Sequence, residues 1–499
     1  MESKGAPSFY FTHSRFLFFA VPFCLGIGAA VKSGFAFSAL LLLPPLLFAL
    51  CAAFLLRRKK EACLRLFLIF CGLLLALVAV FPAECRIKAL AGKEVEIKGV
   101  VSAEKENGVE LRLLNGGFEK VFFETENAPL PLGTVLNGTA RFSRAKDEEQ
   151  TENSVFLTGK WKGVPIQSGS DPLFSALGGI RRFFSHRLDK LDHAGFFRAV
   201  LLGDRSGLTE TELAAFSDAG ISHLLALSGL HLSILFGFCD FFLSLFLHGR
   251  ARNVFSLVLI AVFCAVTGFI PSAVRAGLML TSRKLGALFG RRSDPLLSLG
   301  FAAVLILLFS PGALFSPSFQ FSFAAVLGIL CLAAPLMERF SDLLGNIGHS
   351  LPFFLQKAVL SVLSIFCLSG AVFTASFPLG MINLGGGQPL APLLNLLFIP
   401  AFTPVLFCGF LTAVLFLPAP LYSLLCRITD SAGSLFLRAA EKTGAVFSAS
   451  VLPEAIAIPA ALCSAGMLLY CLRKNKEASF LPLWFTEAAF LLISSCFCK

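Results

Sequence analysis

The chain has 499 residues, of which 56% are hydrophobic and only 15% charged. Its mean hydropathy is +0.79, which excludes an ordinary soluble enzyme and points to a polytopic membrane protein. The net charge of +11 suits cytoplasmic loops beside anionic lipid and equally suits an anionic substrate; charge alone does not choose between them. The 15 cysteines lie almost entirely in apolar runs, where they behave as small hydrophobes. There is no C-x-x-C, and the Cys496/Cys498 pair near the end has no partner residues for a metal. No disulfide framework, metal or cofactor is expected.

Taken in order, residues 1–83 read as three membrane spans, at Phe16–Val31, Phe35–Leu56 and Leu64–Phe81. Arg57-Arg58-Lys59-Lys60 between the second and third places the N-terminus in the cytoplasm by the positive-inside rule. The Pro22 in the first run, with no small-residue cleavage site after it, argues against a cleavable signal. Residues 84–168 then form an extracytoplasmic domain. Apolar residues alternate at Val95/Ile97, Val109/Leu111/Leu113, Val121/Phe123, Val135 and Val155/Leu157, with turns at Asn115-Gly116-Gly117 and Pro131-Leu132-Gly133. Five short strands in that length suggest a small Greek-key barrel, most simply an OB-like fold. Between Arg86 and Pro165 twelve basic residues face twelve acidic ones. Phe118, Phe122, Phe142 and Trp161 suit base stacking or a core equally well. Asn137-Gly138-Thr139 reads as a hairpin turn.

Residues 169–220 are amphipathic and basic. Arg181, Arg182, Arg187 and Lys190 are candidates for collecting a polyanion, and lipid headgroup contact is the competing reading. Thr209 and Glu212 make a T-x-x-E capping box, so a short helix begins there and ends at Gly220. From Ile221 the chain is apolar enough to enter a bilayer, yet Ser222, His223, Ser228 and His231 sit inside the run. Polar groups at that depth line a cavity or lock helices together. Ser228 and His231 share a helical face, which also admits an intramembrane Ser/His hydrolase. No carboxylate stands nearby to make a zinc site with His223 and His231.

Residues 221–420 continue with apolar segments near Val254–Gly268, Pro271–Phe289, Leu296–Ser310, Phe319–Met337, Val359–Ser376 and Ala391–Leu417. Arg275, Gln320 and Asn395 are polar within them and join the cavity-lining candidates. Arg275 is suited to phosphate or to an ion pair with Asp240 or Asp294. In residues 421–499, Tyr422–Lys442 fits either a span or an interfacial helix, and Ala455–Cys471 and Phe480–Phe497 are apolar, giving about 12 or 13 spans in all. LGGGQPL at Leu384–Leu390 is a loop, and no nucleotide-binding motif occurs.

Four motifs occur together in order. They are GDRSGLT with AGISHLLALSGLHLSI at Gly203–Ile234, TGFIPSAVRAGLM at Thr267–Met279, SPGALFSPSFQFSF at Ser310–Phe323, and Pro378 with Asn395, Leu396 and Pro400. The set resembles the ComEC-type competence proteins, in the form without their C-terminal metallo-β-lactamase-like domain. The resemblance implies a multi-pass protein of the bacterial inner membrane that passes single-stranded DNA inward during transformation, with no catalytic residue of its own. It implies an OB-like domain, a separate nuclease, a cytoplasmic DNA-translocating ATPase and contact with membrane lipid; assembly as a homo-oligomer is compatible with it. An intramembrane hydrolase, or a transporter or scaffold of an envelope complex, are the alternatives.

Overall fold

The computed structural model describes residues 93–144, 155–161, 165–333 and 353–451, with short breaks inside these ranges. The three N-terminal spans, the two C-terminal apolar segments, Phe118, the Asn115–Gly117 turn and Cys496/Cys498 lie outside the described residues. The chain divides into two compact units.

In the first unit, β1 (Glu94–Lys105), β2 (Gly108–Leu113), β3 (Lys120–Glu124), β4 (Thr134–Arg144) and β5 (Val155–Trp161) pair in the order β1-β2-β3-β5-β4. β4 also pairs with β1, so the five strands close. Every pairing in the ring is antiparallel except β3 with β5. A sixth strand, β6 (Ile166–Ser170), adds to β4. It has too few apolar residues to show an alternation, which is why the pattern misses it.

The barrel core is Ile97, Val101, Val109, Leu111, Leu113, Val121, Phe123, Leu136, Ala140 and Phe142, with Val95 and Trp161 packed against it. Closure leaves no free edge among the five ring strands. Two sequence readings change here. Val135 is buried, but it is Leu136 that shares the core face with Ala140 and Phe142; the register shifts between Val135 and Leu136 where β6 pairs. Asn137-Gly138-Thr139 lies inside β4 and is not a turn. A Cβ on Gly138 would come within 2.9 Å of the Trp161 ring, so the glycine is there to admit an aromatic. Trp161 in turn stacks on Phe123 at 4.5 Å. Phe142 lies in the barrel core and Trp161 packs against it, whereas Phe122 is buried but outside that core, alternating with Val121 and Phe123.

The same unit holds the first part of α1 (Pro172–Leu188) and three helices, α5 (Gly249–Val266), α6 (Pro271–Leu288) and α7 (Pro295–Phe309). α6 packs on both α5 and α7. Asp294 caps α7 by accepting from the Leu296 N–H at 2.9 Å, and Pro295 takes the first helical position, where its missing N–H costs nothing.

The second unit takes the rest of α1, then α2 (Ala194–Leu202), α3 (Glu210–Asp218), a 3-10 turn at Ser222–Leu224 and α4 (Gly229–Phe246). It resumes at Gln320 within α8 (Pro317–Gly328), which runs into a π-helical stretch at Ile329–Ala333, then α9 (Phe353–Leu384), α10 (Ala391–Val414) and α11 (Ala419–Val446). α10 is the centre. It packs against α2, α4, α9 and α11. Its buried residues Ala391, Asn395, Phe398, Phe402, Val405, Gly409, Thr412 and Ala413 recur at helical spacing.

Rings from four helices converge beside this stripe. Phe436 of α11 contacts Phe196, Phe216, Phe398 and Phe402, with centroids 5.6 to 6.1 Å apart. Phe197 of α2 fits against two glycines. A Cβ on Gly409 would sit 2.5 Å from its ring and one on Gly433 3.0 Å. Gly328 likewise meets Ala371 and Ala375, so α8 and α9 approach through small residues.

Four described helices are long and apolar enough to cross a membrane: α4, α5, α9 (over Phe354–Met381) and α10. α7 and the α8–π segment are apolar but shorter. α11 is 28 residues long and carries Arg427, Asp430, Arg438, Glu441 and Lys442; it buries Thr429, Gly433, Phe436, Leu437 and Ala440 and exposes Leu421, Leu424, Ile428 and Leu435.

Candidate functional site

The Thr209 box forms in full. Its hydroxyl accepts from the Glu212 N–H at 3.2 Å, and the Glu212 carboxylate accepts from the Thr209 N–H at 2.8 Å. Gly220 closes α3 with φ +69°, and a Cβ there would collide with Gln388 at 2.6 Å. Gln388 is buried. Its amide donates to the carbonyls of Asp218 and Phe447, and its carbonyl accepts from the Leu390 N–H. The glycine-rich loop is therefore a staple between the ends of α3 and α11.

The apolar run after Ile221 is not one helix. A 3-10 turn covers Ser222–Leu224, and α4 starts only at Gly229. Ser222 and His223 are exposed on the turn, so His223 and His231 do not lie along one helix. Ser228 stands immediately before α4, and its Oγ accepts from the Leu230 N–H at 3.2 Å. His231 is fully buried and packs edge-on to Phe402 at 4.9 Å. Its Nδ1 lies 3.2 Å from the Ser228 N–H and 2.8 Å from the Ser228 Oγ. A backbone N–H can only donate, so Nδ1 accepts and the ring proton sits on Nε2. From there it donates to the Leu224 carbonyl at 3.2 Å. His231 thus plays the part of the Glu in a capping box and ties the 3-10 turn to the helix start.

A second interruption precedes α6. Gly268 has φ +75° and Phe269 +56°, and Phe269 is the one non-glycine with positive φ among the described residues. Left-handed backbone costs a residue with a Cβ about 1–2 kcal/mol. Phe269 is nonetheless exposed. Arg181 Nη1 stands 3.4 Å from where a Gly268 Cβ would be. Arg275, five residues into α6, is 5% exposed.

Asn395 donates to the Ser369 Oγ at 2.7 Å, joining α10 to α9, while its Oδ1 has no hydrogen-bond partner among the described residues. Gln320 comes within 3.5 Å of the Asn383 amide. Of the basic residues proposed for capture, Arg182 and Lys190 are exposed, whereas Arg187 is half-buried among aromatic rings. That arrangement and the Gln388 staple are the features sequence reading misses. Among the described residues there is no group of three His, Cys, Asp or Glu able to hold a metal.

A closed β-barrel with helices of membrane-crossing length defines a multi-pass membrane protein carrying a β domain. The Competence protein family model matches residues 200–477, more than half of the chain, and the chain belongs to that family. ComE operon protein 3 of Bacillus subtilis (strain 168) is 26% identical over 235 residues, which are 47% of this chain and 28% of that protein. An uncharacterized protein of Mycoplasma pneumoniae (strain ATCC 29342 / M129 / Subtype 1), the MG316 homolog, is 36% identical over 105 residues, 21% of this chain and 27% of that protein. The matched parts thus span little more than a quarter of these curated relatives. No solved structure matches the chain.

Proposed function

We propose that the chain is the membrane conduit through which single-stranded DNA enters the cytoplasm during transformation. Family membership supplies the competence role. The observation that carries the conduit is Arg275. It is a guanidinium buried in a helix, and it lies near the helix N-terminus, where a cation meets the positive end of the dipole. A buried cation in that position faces a cavity or a partner, and Arg binds phosphate with a fork of donors. Within the second unit, the Asn395 Oδ1, which has no hydrogen-bond partner among the described residues, supports wetted space beside α10.

On this reading the barrel is OB-like, since strand order and the parallel β3–β5 pair match that fold. It stands outside the inner membrane, with the N-terminus in the cytoplasm and about 12 or 13 spans in the whole chain. The protein has no catalytic role; a separate nuclease and a cytoplasmic ATPase process and pull the strand. The test is uptake of labelled DNA into the cytoplasm of cells with and without this gene, and equal uptake would reject the proposal.

The Ser228–His231 contact of 2.8 Å favours a second reading, an intramembrane hydrolase. Against it, the Ser228 Oγ already accepts from Leu230 and the imidazole is enclosed by Phe402. Ser228→Ala abolishes a hydrolase but leaves a conduit most of its transport.

A further inference from the structure

We propose that Arg187 is a latch that holds the surface helix α1 to the turn between α10 and α11, and that it does not collect anions. α10 ends at Val414, and its last carbonyls have no partner within the helix. Arg187 reaches them from α1. Its Nε donates to the Thr412 carbonyl at 3.2 Å and its Nη2 to the same oxygen at 3.1 Å, and Nη2 also donates to the Leu415 carbonyl. The guanidinium meets the negative end of the α10 dipole, where a cation is favoured.

Its faces are taken too. The rings of Phe183, Phe416 and Tyr422 stand 5.9, 5.0 and 4.6 Å from its central carbon. Phe183 and Phe416 stack on each other at 5.8 Å, and the Tyr422 hydroxyl donates back to the Arg187 carbonyl at 3.2 Å. Three donated bonds and three rings occupy the group that a phosphate would need. Only a planar fork satisfies both carbonyls while lying among rings, so lysine cannot replace it. Because α10 carries Asn395 and the stripe that meets His231, the latch positions the proposed path without touching the strand.

The transport consequence rests on the conduit reading; the latch does not. The experiment therefore has two arms, on purified full-length protein in lipid nanodiscs. In thermal unfolding, Arg187→Lys and Arg187→Gln should lower the midpoint by a similar few degrees. Tyr422→Leu should do the same, and the double variant Arg187→Lys/Tyr422→Leu should fall less than the sum of its parts. Tyr422→Phe keeps the ring, so it should lose less than Tyr422→Leu and remains measurable if the others fail to fold. In single-stranded DNA binding against salt, both Arg187 variants should keep the wild-type slope. A lysine variant as stable as wild type, or additive losses in the double variant, would overturn the latch. So would a slope that falls by about one with glutamine and returns with lysine, the mark of a phosphate contact. If no DNA binds at all, the conduit reading fails while the thermal arm still decides the latch.

Discussion

Two interrupted stretches, one in each unit, each lead into a helix with a buried polar side chain, and their backbones are built differently. Before α4, Ser228 and His231 find partners in each other and in the neighbouring backbone. Ser228 caps, His231 accepts from Ser228 and donates to Leu224, and no non-glycine residue takes a left-handed backbone. Before α6, Phe269 takes a left-handed backbone in the open, and a buried cation lies near the wrong end of the helix dipole. The first break is built as a joint. The second carries a left-handed non-glycine residue that the first lacks, and such strain collects where a protein works.

If that contrast holds, substitutions at the two breaks separate transport from folding. The largest effect belongs to Arg275→Gln: DNA passage in cells should fall at least about tenfold, or some 1.4 kcal/mol in barrier, while the level of folded protein stays near normal. Arg275→Lys should keep part of the passage. Loss of folded protein in the glutamine variant would make Arg275 a structural ion-pair residue and erase the distinction. His231→Ala comes next. It strips the Ser228 N–H and the Leu224 carbonyl of their partner and should cost about 1–3 kcal/mol of stability, read as reduced folded protein by size exclusion. Passage per folded molecule should stay unchanged; a selective loss of passage would move His231 to the path. Ser228→Ala should cost about 1 kcal/mol by the loss of a helix cap. The smallest effect is Phe269→Gly, which relieves the left-handed strain but adds freedom to the unfolded chain. The net should be a gain of about 0.5 kcal/mol, read as a slight rise in thermal midpoint. A clear loss would mean that the exposed ring is held by contacts worth more than the strain.

The parts of this picture legible in the sequence are local. Thr209 and Glu212 signal a helix start because both partners of the box lie within one turn. The barrel strands show through their alternation because one face is buried. The break before α4 is hidden, since Leu224, Leu225 and Leu227 continue an apolar run whether the backbone is helical or not. The roles of Arg187 and Gln388 are hidden for another reason. The carbonyls they satisfy are 225 and 170 residues away, and backbone acceptors carry no sequence signature. The same holds for the aromatics of the barrel. Only the register of β4 decides that Phe142 faces inward and that Gly138 receives Trp161.

The seat of Phe197 between Gly409 and Gly433 has a practical use. A ring seated where a methyl group on Gly409 would collide and one on Gly433 would be tight helps to set the spacing of α10 and α11. On the conduit reading, widening of the path is expected on the side of α4 or α9, because parting α10 from α11 would leave Phe197 facing a void. A pair of fluorophores on those two helices is thus a built-in ruler. Its transfer efficiency should stay constant during translocation, giving single-molecule recordings an internal zero against which movement elsewhere is measured.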